Sequence, residues 1–260
     1  MTAREALAEA ERRLAAADVD TPRVDAEWLV AHLLGTTRSG LVARLDDEVS
    51  GLETLLARRE AREPLAYVLG EWGFRRLTLK TDARALVPRP ETETLVERAL
   101  ALAEAIEQPR ILDVGVGSGA IALALKDERP DAQVTGVDVS ADALALAREN
   151  AELLGLEGEL RQGDGAELAA EGWDVVVANP PYVESLDELQ PELRREPEVA
   201  LVGRGEHERL ARAAKARFVA FEVADGQARD VAEILGAAGW PDVRVTRDLT
   251  GMERVVEGTR

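Results

Sequence analysis

Asn179, Pro180, Pro181 and Tyr182 follow an apolar run in the stretch ANPPYV, residues 178 to 183. Proline has no N–H for a sheet ladder, so a strand must stop there. The prolines also fix φ and hold the carbonyls of Asn179 and Pro180 in place. Asn179 offers a side-chain oxygen as acceptor and Pro180 a carbonyl. Two rigid acceptors can hold one planar NH₂ group, with Tyr182 stacked on the plane that carries it. That chemistry suits methyl transfer to an amide or exocyclic amine, whose delocalised lone pair makes it a poor nucleophile. Near-attack orientation is worth roughly 7–11 kcal/mol. No strong base is needed during the displacement, because the methylated nitrogen becomes acidic and releases its proton afterwards. The two histidines, His32 and His207, lie in no motif.

A second constellation lies upstream. ILDVGVGSGAIALAL, from Ile111, reads as strand, glycine turn and helix. Gly115, Val116, Gly117, Ser118 and Gly119 form the turn. Its glycines permit close approach of a ligand, and the helix from Ser118 is expected to present free amides. Asp138, ending the next strand, can accept from both ribose hydroxyls of an adenosine. Gly115, Gly117 and Ala120 also satisfy a dinucleotide pattern with a terminal alanine. Asp113 favours the other cofactor class. A carboxylate before the first glycine would repel a pyrophosphate but suits a cationic amino acid end, as in S-adenosylmethionine. Asp164, in QGDG (162–165), can accept from the adenine amine, with a plain polar turn as the equal alternative.

The elements that must hold these groups follow from patterning. Residues 1–70 read as a small helical bundle without a convincing catalytic group. Thr2 and Thr21 serve as caps there, Pro22 lies in a first turn, and SGLE (50–53) fits a capping box. Residues 71–88 read as a β-hairpin or extended linker. Pro90 then opens a helix with Glu91 and Glu93 in its first turn. From residue 110 strands alternate with helices: RILDVG, AQVTGVDVS, GELRQGD, WDVVVANPP, RFVAFEV and DVRVTRD are the strands. That alternation predicts an α/β fold with a doubly wound, parallel sheet. Ligands bind such sheets beyond the carboxyl ends of the strands. The strand before Asn179 would neighbour the one before Gly115, so the NPPY turn should face the glycine loop.

Bulk properties narrow the function. The chain has 260 residues, no cysteine and a net charge of −18. The absence of cysteine excludes disulfides, thiolate catalysis and zinc–thiolate sites, and no metal set is expected. The acidic balance works against a nucleic-acid substrate and is easier to reconcile with a neutral or basic protein partner. The longest uncharged run, Val114 to Leu125, is too short to cross a bilayer. Glu5, Glu9 and Glu11 stand where an export signal would need an apolar core, so the default expectation is the cytoplasm.

LDVGVGSGAIALAL, GVDVS and NPPYV together resemble class I S-adenosylmethionine methyltransferases acting on planar nitrogens. EPLAYVLGEWGF (63–74), LVPRPETETLVE (86–97) and the tail from FEVADGQ are similar to the release factor glutamine methyltransferases, the HemK/PrmC type. That resemblance covers nearly the whole chain. It implies a seven-stranded sheet whose last strand, MERVVEG (252–258), runs antiparallel. Domains are expected at 1–70 for docking the partner, 71–88 as hairpin or linker, and 89–260 for methyl transfer.

The implied substrate is the glutamine of the Gly-Gly-Gln tripeptide in peptide chain release factors; apart from the resemblance, a monomer is the default expectation. The donor is S-adenosyl-L-methionine and the product S-adenosyl-L-homocysteine. Asn179 and Pro180 would bind the glutamine amide and Tyr182 pack on it, with Pro181, Arg89 and Glu91 also on the substrate side. Asp113, Gly115 to Gly119, Asp138, Asp164, Gly165 and Asn179 would hold the cofactor. Two features depart from the family pattern. Members commonly carry a bulky aromatic against the adenine where this chain has Gly165, and residues 201–217 lack an LKPGG-like turn. An adenine- or cytosine-directed nucleic-acid methyltransferase and a non-catalytic binding module are the alternatives.

Overall fold

WDVVVA is apolar on both faces, which is the signature of a central strand covered by helices on each side. In the computed structural model, which describes residues 1–183, 185–186 and 189–260, Val175, Val176, Val177 and Ala178 of this strand are fully buried. The chain divides into two compact units, Met1–Glu71 with Leu189–Arg195, and Trp72–Glu188 with Glu196–Arg260.

The first unit carries α1 (Ala3–Ala16), α2 (Pro22–Leu33), α3 (Leu52–Glu60) and α4 (Leu65–Leu69). Helix α1 opens on a reciprocal capping box between Thr2 and Glu5. The capping box expected at Ser50 does not form. Gly51, at φ 84°, caps α3, and the Glu53 carboxylate is taken by Arg13 at 2.6 Å. Thr21 also makes no capping bond to the backbone; its hydroxyl donates to Asp25 Oδ1 at 2.9 Å. Asp25 and Arg59 pair in the interior at 2.6 Å. Arg59 and Arg62 both reach Glu192, at 2.7 and 2.6 Å, which explains why a segment so distant in sequence joins this unit. Burial pushes the Glu192 carboxyl up, but hydrogen bonds from the two arginines outweigh it and hold its pKa at about 2.

The second unit begins at Trp72, within the hairpin of β1 (Glu71–Phe74) and β2 (Leu77–Lys80). It is no free linker. Phe74 and Leu79 are fully buried, and Asn150 bonds both the N–H and the carbonyl of Lys80. Next come α5 (Glu93–Ala103), β3 (Arg110–Val114), α6 (Ala120–Glu128), β4 (Gln133–Asp138), α7 (Ala141–Leu154), β5 (Glu159–Gln162), α8 (Gly165–Ala169) and β6 (Trp173–Ala178). The chain ends with α9 (Glu198–Leu201), α10 (Glu206–Ala213), β7 (Ala216–Glu222), α11 (Ala228–Ala237), β8 (Asp242–Arg247) and β9 (Glu253–Thr259). The seven-stranded sheet has the order β5-β4-β3-β6-β7-β9-β8. All its pairings are parallel except those of β9, which is antiparallel to β7 and β8. One core layer gathers Leu95, Ile121, Leu125 and Leu144, and the other Leu210, Phe221, Leu235 and Trp240. The strand order reverses between β3 and β6, the place where doubly wound sheets open a crevice for ligands.

Candidate active site

The β3–β6 register ends on Val114 opposite Ala178. Gly115 and Asn179 therefore leave the sheet side by side. Beyond them lies a cavity of about 280 Å³ lined by Gly115, Gly117, Asp138, Gly165, Asn179, Pro180 and Pro181, among others. Apolar side chains, including Leu86, Val139 and Leu210, complete its wall. The Asn179 amide is anchored from behind. Its Nδ2 donates to Thr92 Oγ1 at 3.2 Å, which leaves Oδ1 as the acceptor end. Thr92 belongs to the single tight turn Pro90–Thr92 that leads into α5, so the VPRPETE segment touches the NPPY turn directly.

The glycine loop is held by its own backbone. Gly115, Gly117 and Gly119 all have positive φ, at 74°, 54° and 88°, where side chains with a Cβ are strained. Gly115 and Val116 both donate to the Val137 carbonyl, at 2.8 and 3.0 Å, and Gly119 donates to Val116. Asp138 Oδ2 accepts from Gly117 N at 3.0 Å and Oδ1 from Ser140 N at 2.9 Å. A carboxylate has about four lone-pair sites, so Asp138 braces the loop and keeps acceptor capacity toward the cavity.

Residues 5–70 match the model of the PrmC N-terminal domain, and residues 92–208 that of the methyltransferase small domain. A release factor glutamine methyltransferase of Deinococcus radiodurans is 41% identical, over 100% of this chain and 99% of its own. The Rhodospirillum rubrum protein of the same name is 41% identical over 95% of this chain and 82% of its own. The chain belongs to the release factor glutamine methyltransferase family. Among solved structures, the hMettl16 catalytic domain, in complex with a MAT2A 3′UTR hairpin, superposes with a TM-score of 0.58 at 16% identity. It covers 79% of this chain and 80% of that one and shares the fold alone.

Against the pattern expected of the family, several residues stand elsewhere than the sequence suggested. Asp113 does not line the cavity. It is fully buried, and its Oδ2 accepts from Ala122 N at 3.0 Å. Burial, with Asp138 nearby, pushes its carboxyl up to about 7. Its Oδ1 is buried with no hydrogen-bond partner among the described residues. The expected row of free amides is largely consumed, because the turn closes on Val137, Val116 and Asp138, and α6 begins at Ala120, after Gly119. Val116 is buried against the core, and Ser118 is buried with its carbonyl accepting from Asn150 at 2.9 Å.

Asp164 caps α8, accepting from Ala166 N and Glu167 N, and pairs with Arg209. That hydrogen bond from Arg209 holds its carboxyl below the usual range. Gly165 has a packing reason: a Cβ there would lie 2.2 Å from Val114 Cγ1, so the space of an aromatic is taken by Val114. Arg89 is engaged by the buried carboxylate of Glu196, which also accepts from Val87 N at 2.9 Å. Glu91 is exposed.

Tyr182 does not line the cavity. Burial raises its phenol pKa, with Glu222, Arg254, Arg89 and Glu91 as its charged neighbours. In the 201–217 segment, the Ala214 N–H closes α10 on Leu210, and Lys215 N donates to Ala169, so β7 begins without a longer turn.

Thr92, Glu196 and Glu222 are buried polar groups that the sequence did not single out. The signal for Glu222 was a single carboxylate ending an apolar strand in FVAFEV. For Thr92 and Glu196 no local pattern separates a buried polar partner from a helix start or a polar loop.

Proposed function

We propose that the chain transfers the methyl group of S-adenosylmethionine to the side-chain amide nitrogen of the glutamine in the Gly-Gly-Gln motif of a peptide chain release factor. The observation that carries this reading is Asn179. Its Nδ2 is committed to Thr92, which leaves Oδ1 to accept, and Asn179 and Pro180 both line the cavity. Two acceptors spaced along one turn suit the two N–H bonds of a primary amide. Full-length similarity to release factor glutamine methyltransferases supports a glutamine over a base. The net charge of −18 works against a polyanionic substrate.

The residues present fit the cofactor. Asp138 retains acceptor capacity for ribose hydroxyls, and Val139, Ala166 and Leu210 offer an apolar wall for an adenine ring. Gly115 and Gly117 let the loop approach closely. S-adenosylmethionine supplies, when bound, an electrophilic methyl group on a sulfonium that becomes the thioether of S-adenosylhomocysteine. Asn179 and Pro180 then do the protein's part. They draw charge onto the amide nitrogen, aim its lone pair and stabilise the N–H bonds as they acidify. The product nitrogen sheds one proton, which returns it to a neutral secondary amide.

One experiment separates the readings. Labelled S-adenosylmethionine is offered with a release factor, with the same factor whose motif glutamine is replaced, and with duplex DNA. Label on the first alone is expected. Label on DNA, or equal label on both proteins, overturns the proposal. Asn179→Ala should lower turnover by about 10²-fold or more, by analogy with loss of one preorganised oxyanion-hole donor, while cofactor affinity changes little.

A further inference from the structure

With its methyl group near Asn179 and its ribose on Asp138, S-adenosylmethionine must carry its base beyond Asp138, away from the methyl end. The sheet order there is β5-β4-β3-β6, and Asp138 at the end of β4 pairs with Gln162 at the end of β5. The turn after β5, Gly163 to Ala166, therefore lines the base end of the cavity. Gly165 offers no side chain to cover a ring, because Val114 fills the space that its Cβ would need. None of the described residues lining the cavity is aromatic. A purine is held best when a second flat group, an aromatic ring or a guanidinium, lies on its face.

Two planar cations line this cavity, Arg84 and Arg209. Arg84 is tied to Asp82 and to Glu149 of α7. Arg209 is tied to the residue next to Gly165. Its Nη2 donates to Asp164 Oδ2, and its Nη1 to Glu206 Oε2 at 3.1 Å. Asp164 in turn uses Oδ1 to accept from Ala166 N and Glu167 N, at 2.8 and 3.2 Å. The loop that carries Gly165 therefore also holds the guanidinium. On α10, Arg209 precedes Leu210, which shares a core layer with Ala166. A guanidinium donates within its own plane, so both carboxylates meet its edge. The Arg209 side chain is 47% exposed, which leaves surface for a ligand to cover.

We infer that the Arg209 guanidinium stacks on the adenine ring of S-adenosylmethionine and supplies the flat cover that Gly165 cannot. This rests on the reading of the cavity as the S-adenosylmethionine site. A guanidinium is delocalised, weakly hydrated and planar, so it stacks on aromatic faces where a lysine ammonium acts as a point charge. Asp164 and Glu206 are positioning residues in this arrangement. They set the plane of the guanidinium and offset its charge.

The test titrates the full-length chain by calorimetry with S-adenosylhomocysteine and with methylthioadenosine, which keeps the adenine and ribose but lacks the charged amino acid end. Arg209→Ala should bind both about tenfold more weakly, the scale of one lost stacking partner. The melting temperature of the free protein should not change, because an exposed ion pair adds little to stability. Arg209→Lys should be as weak as Arg209→Ala. Arg209→Trp should keep most of the wild-type affinity, and S-adenosylhomocysteine should quench its emission more than that of the wild type. Unchanged or tighter binding by Arg209→Ala overturns the inference, as does an Arg209→Trp emission that does not respond. A loss confined to S-adenosylhomocysteine, or full affinity in Arg209→Lys, also overturns it, because either assigns Arg209 to the carboxylate end of the ligand. If the wild type does not bind S-adenosylhomocysteine, the cofactor reading itself falls. If it binds and Arg209→Ala binds equally well, the stacking role alone falls.

Discussion

Asp138 shows how one side chain can serve the fold and the ligand together. Its two oxygens tie down Gly117 and Ser140, so the glycine loop and the start of α7 are referenced to the end of β4. Charge-assisted hydrogen bonds of this kind contribute about 1.5–3 kcal/mol each. Asp138→Ala should therefore weaken S-adenosylmethionine binding by about tenfold or more, measured by calorimetry, with the melting temperature also lowered. Asn179→Ala should do the reverse, costing turnover and sparing affinity. Equal effects of both variants on affinity would show that the two residues do not divide the work this way. Asp138 was legible from its place at the end of a strand after a glycine loop. Its bracing of Gly117 was not, because the strand partner of a loop amide depends on the register between strands.

The turn after β5 sets a constraint on a whole element. Helix α8 starts where Asp164 caps it, and Gly165 must pass Val114 at the end of β3. An added Cβ would sit 2.2 Å from Val114 Cγ1, and valine has few rotamers into which to retreat. Gly165→Ala should cost about 1–3 kcal/mol, the usual scale of overpacking, read from urea unfolding. Adding Val114→Ala should recover much of that loss. A stable Gly165→Ala would mean the loop gives way instead. The same crowding explains why no aromatic stands at this position. At this scale the order of helices and strands was readable from periodicity and apolar runs. The capping of α3 by Gly51 was not, because Glu53 is drawn away by Arg13, more than thirty residues distant in sequence.

For the molecule as a whole, pH acts on stability through two opposed sets of carboxyls. Asp113 and Glu222 are pushed up to about 7 from 3.8 and 4.5, chiefly by burial. The folded chain then holds protons that the unfolded chain has already lost. Their contribution is complete below about pH 4 and is lost as pH rises through about 7. Glu192 and Asp248 are held at about 2, Glu192 by its arginines against burial and Asp248 first by Thr250. Their contribution is present above about pH 4 and is lost as pH falls toward 2. The net charge of −18 adds self-repulsion at neutral pH. The melting temperature should therefore decline from about pH 5 to about pH 8. Asp113→Asn should flatten that decline, and added salt should raise the neutral end. A variant that follows the wild-type curve point by point would exclude Asp113 as a contributor.

The doubly wound sheet, the glycine loop, Asp138 and the NPPY turn were all legible in the chain alone. Each is written in local grammar: apolar strands, glycines where φ turns positive, and prolines that end a ladder. Packing in three dimensions fixed which end of Asn179 meets Thr92, why Gly165 is a glycine, and that Asp113 lies beneath the loop instead of in the cavity. Those facts depend on Thr92, Val114 and Ala122, whose approach is set by strand register and helix packing over long separations. A hydrogen bond between residues 87 positions apart, such as that from Asn179 to Thr92, leaves no local trace in the chain.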